Sequence, residues 1–166
     1  MVLYAKCEMF MDRRLDRIDR NILNELQKNG KLSNVELAKR VGLSPTPCLE
    51  RVKKLEKDNV IMGYCANLNP KFLDASLVVF VEITLSRTSP DVFEQFSQAV
   101  IDVGVIQECH LVSGNFDFLL KTRVSDMQAY RNLLGDTLLN LPSVSESRSY
   151  VVMEEVKTGS KLAVNY

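Results

Sequence analysis

The stretch from Ser33 to Lys57 constrains this chain most, because start and stop signals for two short helices follow one another there with almost no linker. Ser33-Asn34-Val35-Glu36 is a capping box: Ser33 can accept from the amide of Glu36, and Glu36 can reach back to the amide of Ser33. The helix it opens is predicted to turn Val35, Ala38 and Val41 inward and to stop at Gly42. Leu43 packs the turn. Ser44 is the next N-cap, with Pro45 at the first helical position, where its missing N–H costs nothing, and Pro47 still within the first turn. Leu49, Val52 and Leu55 are predicted to form the buried stripe of that helix. A longer amphipathic helix precedes the pair, with Leu15, Ile18, Ile22 and Leu26 at spacings of three and four and a stop at Asn29-Gly30. Three helices in this order, the last two joined by a tight glycine-containing turn, spell a helix-turn-helix. Val60–Leu68 then reads as strand, turn at Gly63 and strand, which would be a wing.

The third helix offers a surface suited to a polyanion. Arg51, Lys53, Lys54 and Lys57 are cationic, Glu50 can pair with Lys54 one turn on, and Ser44, Thr46 and Pro47 crowd the N-terminal end. Ser33 and Asn34 open the helix before it. In a helix-turn-helix, the N-terminal residues of the second helix meet base edges while Lys and Arg grip phosphates, so these ten residues form the candidate DNA-contacting set. Charge agrees: residues 1–70 hold 13 Lys/Arg against 9 Asp/Glu, and residues 71–166 hold 8 against 12. The neutral chain therefore joins a basic half to an acidic one. A lone basic helix is usually a solvated face; cap, turn, helix and basic face in sequence favour double-stranded DNA as partner.

In the second half, Leu77, Val79, Val81, Ile83 and Leu85 alternate strictly, giving a strand with one apolar face; Val78, Phe80, Glu82 and Thr84 make its other face half apolar. Ser89-Pro90-Asp91 opens a helix burying Val92, Phe96, Ala99 and Val103. Two strands, 105–112 and 116–124, flank a hairpin at Ser113-Gly114-Asn115. Ser125 is predicted to cap a helix carrying Tyr130, Leu134, Leu138 and Leu141, and a last strand covers 144–156. The order βαββαβ is the ferredoxin-like motif, so the expected class is α+β: a winged helix-turn-helix followed by a ferredoxin-like domain. The expected segments are a tail over 1–14, a DNA-binding domain over 15–64, a hinge over 65–76, the βαββαβ domain over 77–157 and a tail over 158–166. Such a sheet has helices on one face only, and Val78 and Phe80 on the other favour a sheet-on-sheet homodimer.

Other chemistries find little support. Cys7, Cys48, Cys65 and Cys109 are scattered and His110 is the only histidine, so zinc-ligand spacing is missing and a reduced, cytoplasmic setting is expected. No apolar run is long enough to span a bilayer, and the first eleven residues lack the apolar core of a signal peptide; Met9 and Met11 are candidate alternative starts. There is no phosphate-cradling glycine loop and no nucleophile–base pair, so no enzyme and no cofactor are expected.

The segments LDRIDRNILNELQKNGKLSNVELAKRVGLSPTPCLERVKKLE, DASLVVFVEITL, IQECHLVSGNFDFLLKTRV and RSYVVMEEVK resemble the Lrp/AsnC, or feast/famine, family of transcription regulators over about residues 15–157. The resemblance implies a C-terminal domain of the RAM or ACT-like type that assembles subunits into dimers and larger rings, an octamer foremost, on nucleoid DNA. It also implies an effector site for the ammonium and carboxylate groups of a free amino acid, leucine foremost. The family's Gly-x-x-Asp element falls on Gly114 and Asp117, and its leucine-responsive branch implicates Leu111, Met127, Tyr150, Val151 and Val152. Asn115 stands in the same turn, where an acid is expected in near relatives. Two other functions share these features: a nucleoid-organising protein that wraps DNA with little sequence choice, and a siroheme-decarboxylase-like enzyme on the same fold.

Overall fold

A computed structural model describes residues 15–159 and 161–164; the tail over 1–14, with Cys7, Met9 and Met11, lies outside them. The described residues form two compact units, one ending at Asn67 and including the residues from Gly159 onward, the other spanning Leu68–Thr158.

The first unit holds α1 (Arg17–Lys28), α2 (Asn34–Val41) and α3 (Pro45–Lys57). Asp16 caps α1 by accepting from the Asp19 amide at 2.8 Å. Ser33 caps α2, accepting from the Glu36 amide at 3.2 Å, but the carboxylate of Glu36 binds Arg40 at 3.1 Å, an opposite charge one turn on. Gly42 ends α2 at φ 73°, a left-handed conformation that glycine adopts without a Cβ clash. The core is Ile22, Leu37, Ala38, Val41, Cys48 and Leu55, with Val52, Val60 and Ile61 packed against it.

Three expectations are corrected in this unit. Val35 is 66% exposed, because α2 meets the core through Leu37, Ala38 and Val41, a line that leaves Val35 on the far side of the first turn. Leu49 is 40% exposed, because the inward line of α3 is Cys48, Val52 and Leu55, and the next residue is rotated about 100° away. No wing strands form over 60–68: the chain is bent at Val60 and Ile61 and then runs without regular structure. The amides of Val60 and Ile61 both donate to the Leu55 carbonyl, at 2.9 and 3.1 Å, and their side chains lock the end of α3 instead of alternating along a strand. A lone two-stranded hairpin is marginal without a further surface to pack on. Farther along, Tyr64 ties back to α3 through Glu56 at 2.9 Å. The C-terminal segment also joins this unit, where Leu162 and Gln27 exchange two hydrogen bonds, at 2.7 and 3.1 Å.

The second unit opens with a 3-10 turn at Pro70–Phe72 and continues as β1 (Leu77–Leu85), α4 (Pro90–Ile101), β2 (Ile106–Leu111), β3 (Phe118–Val124), α5 (Met127–Asn132) and β4 (Val144–Val151). The sheet order is β2-β3-β1-β4 with antiparallel neighbours, the ferredoxin-like arrangement. Val79, Val81, Ile83 and Leu85 of β1 face the buried side with Val92, Phe96, Val100, Phe118, Leu120 and Tyr130, and Phe96 lies on Phe118 at 4.5 Å between ring centres. Thr122, fully buried, satisfies its hydroxyl on the Val79 carbonyl at 3.2 Å.

Two details differ from expectation. Asp126, not Ser125, caps α5, since a carboxylate is the stronger acceptor: it takes the Ala129 amide at 2.9 Å and the Ser125 hydroxyl at 3.1 Å. The last strand ends at Val151 rather than 156. Val152 still donates to Val78 at 3.0 Å, but Arg123 then holds Glu155 at 2.5 Å and the chain leaves the ladder.

Candidate functional site

The exposed side of α3 gathers Thr46, Glu50, Lys53, Lys54 and Lys57 with the unexpected Leu49, within an arc of roughly 140° at 3.6 residues per turn. Ser44 stands at the N-cap without a side-chain bond to the helix, and Pro47 is half-buried beside it. Ser33 is committed to its cap, and Asn34 donates to the Pro45 carbonyl at 2.7 Å, which clasps the beginnings of α2 and α3 together.

Arg51 sits apart from this arc. Its guanidinium bonds Asp16 at 2.6 Å and Asp19 at 2.7 Å, so it ties α3 to the capped start of α1. The Asp19 backbone amide foremost, and Arg51 after it, hold the Asp16 carboxyl below the usual carboxylate range. Sequence reasoning placed Arg51 with the lysines because it weighed charge alone. The signal for its partner was present in Asp16 and Asp19, acids at the start of an adjacent helix.

The effector candidates fall into two groups. Leu111, Gly114, Asn115 and Asp117 cluster at the β2–β3 hairpin, beside the end of β1: Asp117 donates its amide to Ile83 at 2.9 Å and accepts the Leu85 amide on its carboxylate at 2.7 Å. A Cβ on Gly114 would meet nothing within 4 Å. Tyr150, Val151 and Val152 lie beside the start of β1, with Val151 opposite Val79 and Val152 bonded to Val78, and Met127 opens α5 just after β3 ends at that side. Along β1 the groups stand three to six residue steps apart, from Ile83 to Phe80 at the nearest and from Leu85 to Val79 at the farthest, roughly 10 to 20 Å of strand. Leu111, Met127, Tyr150 and Val151 are all exposed.

On the outer face of the sheet, register sets Phe80 between Lys121 and Tyr150, and Glu82 between Leu119 and Arg148. Several charges on this face are paired: Glu108 takes Lys121 at 2.7 Å and His110 at 3.2 Å, which together hold its carboxyl below the usual range, and Arg148 stands 4.0 Å from Glu82. An open hollow of about 350 Å³ lies there between Glu82, Thr84, Asn115, Phe116 and Arg148; of the effector candidates it includes Asn115 alone. No cluster of metal-ligating side chains occurs among the described residues, and no helix among them is long and apolar enough to cross a membrane.

Comparison with known proteins agrees with both units. Residues 15–62 match the winged helix-turn-helix DNA-binding model, and residues 78–162 match the Lrp/AsnC ligand binding domain. The leucine-responsive regulatory proteins of Klebsiella pneumoniae and Escherichia coli K12 are each 71% identical over 90% of this chain and 92% of theirs. Among solved structures, a transcriptional regulator of Neisseria meningitidis in its L-Met complex superposes with a TM-score of 0.87 at 37% identity, covering 92% of this chain and 98% of that one. An AsnC family regulator of Agrobacterium tumefaciens gives 0.86 at 34%, covering 90% and 97%. The chain belongs to the Lrp/AsnC family, and it is a ligand-responsive, DNA-binding transcription regulator.

Proposed function

We propose that the protein reports the level of a free amino acid, leucine foremost, by binding it between copies of the chain and so regrouping its helix-turn-helix units on DNA. The observation that carries this reading is the split of the effector candidates. An amino acid is shorter than the roughly 10 to 20 Å of strand between the two groups. One copy cannot close both groups on one ligand, whereas the hairpin of one copy and the Met127–Val152 end of another can. Asp117 would then meet the ammonium group, amides near Gly114 the carboxylate, and Leu111, Met127 and Val151 the aliphatic side chain. The relatives named for leucine and the neighbour solved with L-Met both support an apolar amino acid. Coupling needs no contact between ligand and DNA, only different affinities of the ligand for two assembly states. The basic assembly is a homodimer through the outer sheet faces, extended to an octamer by the ligand-bearing contacts.

Calorimetry against all twenty amino acids, paired with sedimentation, tests this. Leucine should bind and shift the oligomer distribution. Binding of methionine with no response to leucine would keep the site and change the ligand; binding without any change in assembly would overturn the coupling. Competition with unrelated DNA separates a sequence-specific regulator from an unselective wrapper of DNA.

On α3 the reading assigns phosphates to Lys53, Lys54 and Lys57 and a base edge to Thr46. Lys54→Ala should lower the slope of log affinity against log salt by about 0.9, the release of one counterion. Arg51→Ala should leave that slope unchanged, because its charge is spent on Asp16 and Asp19, while destabilising the unit by about 1 kcal/mol, as expected for a largely exposed pair. The Asp16 contribution has a defined sign. Its folded carboxyl lies below the usual value, so the stabilisation is complete above the ordinary Asp range and disappears as pH falls through the folded value. Thermal melts from pH 6 down to about pH 2 should show Arg51→Ala losing less stability than the parent on acidification. Parallel curves would remove the ion pair from the account.

A further inference from the structure

We infer that Leu49 is a specificity-determining residue that reads the 5-methyl group of a thymine in the major groove. The inference rests on the reading that α3 enters that groove, and goes beyond it by naming an apolar reader and its target. Leu49 is 40% exposed and outside the hydrophobic cluster that Cys48, Val52 and Leu55 join. It lies three residues after Thr46 and four before Lys53, so it shares the exposed arc with the residues suited to touching DNA. An apolar side chain left in water at the edge of this basic arc gains nothing in the free protein, and Leu there is not needed for helix formation, since polar residues serve as well. Against DNA it has a partner. The thymine methyl is the one apolar group that the major groove displays, and the neighbouring lysines hold the groove against the helix. Residues of the first two turns of a recognition helix reach base edges, and Leu49 is the fifth residue of α3. Lys53, Lys54 and Lys57 supply affinity without sequence information; Leu49 supplies discrimination between thymine and cytosine, whose C5 carries only hydrogen.

The test uses the full-length protein and a duplex selected by it from random sequence, with each thymine replaced in turn by deoxyuridine, which deletes only the methyl. Loss of one buried methyl contact should weaken binding by about fourfold at one position per half-site. Leu49→Ala should bind the unmodified duplex less tightly and be indifferent to uracil at that position, while Leu49→Met, which keeps an apolar tip, should retain sensitivity. Conversion of the thymine pair to a cytosine pair should cost the parent affinity, and 5-methylcytosine at the same place should recover part of it. The ratio of thymine to uracil affinity is read within each folded variant, so a general loss of stability cannot mimic the result. A Leu49→Ala variant as sensitive to uracil as the parent, or a parent insensitive at every thymine, overturns the assignment. If Lys53→Ala and Lys54→Ala also leave affinity unchanged, the docking of α3 itself is refuted, and Leu49 falls with it.

Discussion

Phe80→Glu should turn the protein into folded monomers. In β1 Phe80 stands directly between Lys121 of β3 and Tyr150 of β4 on the outer face of the sheet. In a single copy the introduced carboxylate would lie in water across from Lys121, whose ammonium Glu108 already holds at 2.7 Å. The monomer therefore loses little. Between two sheets the same carboxylate is taken from water, and an uncompensated charge there costs on the order of 3 kcal/mol per copy. Twofold symmetry applies that cost twice, which weakens dimerisation by about 10⁴-fold. In the proposed dimer the face would tolerate burial better because several of its charges are already matched: Glu108 by Lys121 and His110, Arg123 by Glu155. Sedimentation velocity should show monomers at micromolar concentration with a normal far-ultraviolet circular dichroism spectrum. A variant that sediments like the parent would rule out the sheet-on-sheet dimer, and one that is unfolded would place Phe80 in the core of its own unit.

Both units were legible in the sequence because periodicity and caps report on the backbone directly. Alternation marked Val79, Val81, Ile83 and Leu85 as the buried face of β1, although Val78 on the other face is buried as well, and Ser33 with Gly42 bounded α2. Leu49 and Val35 were misplaced because hydrophobicity was taken as inward direction: Cys48, small and easily passed over, occupies the core position that Leu49 was given. The missing wing strands have a different cause. Val60 and Ile61 have strand composition, but the Leu55 carbonyl and the nearby core compete for them and win. For the candidate ligand site, the family resemblance named the residues, yet no sequence pattern placed them at opposite ends of one sheet. That follows from β4 pairing with β1 across a long sequence separation, and register is a property of the assembled sheet. Arg51 belongs to the same class: its partners lie more than thirty residues earlier.

The structural role of Asp117 and the ligand-binding role proposed for it can be separated by the choice of substitution. Its carboxylate already accepts the Leu85 amide at 2.7 Å, so it fastens the β2–β3 hairpin to the end of β1 whether or not a ligand is present. Asp117→Ala removes that acceptor and leaves a partly buried amide unpaired, at about 1–3 kcal/mol, so loss of the amino-acid response in this variant alone would be ambiguous. Asp117→Asn keeps a side-chain oxygen for the Leu85 amide and removes only the negative charge. It should melt close to the parent, with a deficit of about 1 kcal/mol, the difference between a charged and a neutral hydrogen bond. Its leucine affinity should nevertheless fall by at least about thirtyfold, since truncating one partner of a desolvated charge pair costs 2 kcal/mol or more, roughly. DNA binding in the absence of leucine should be unchanged, because the proposed recognition surface is on α3 in the other unit. Calorimetry with leucine, sedimentation with and without it, and thermal melts of both variants provide the readouts. If Asp117→Asn still binds leucine as the parent does, the carboxylate is a structural fastener and the ammonium group is held elsewhere. If Asp117→Asn fails while Asp117→Ala responds normally, charge recognition is also excluded, since the variant lacking any acceptor retains the function.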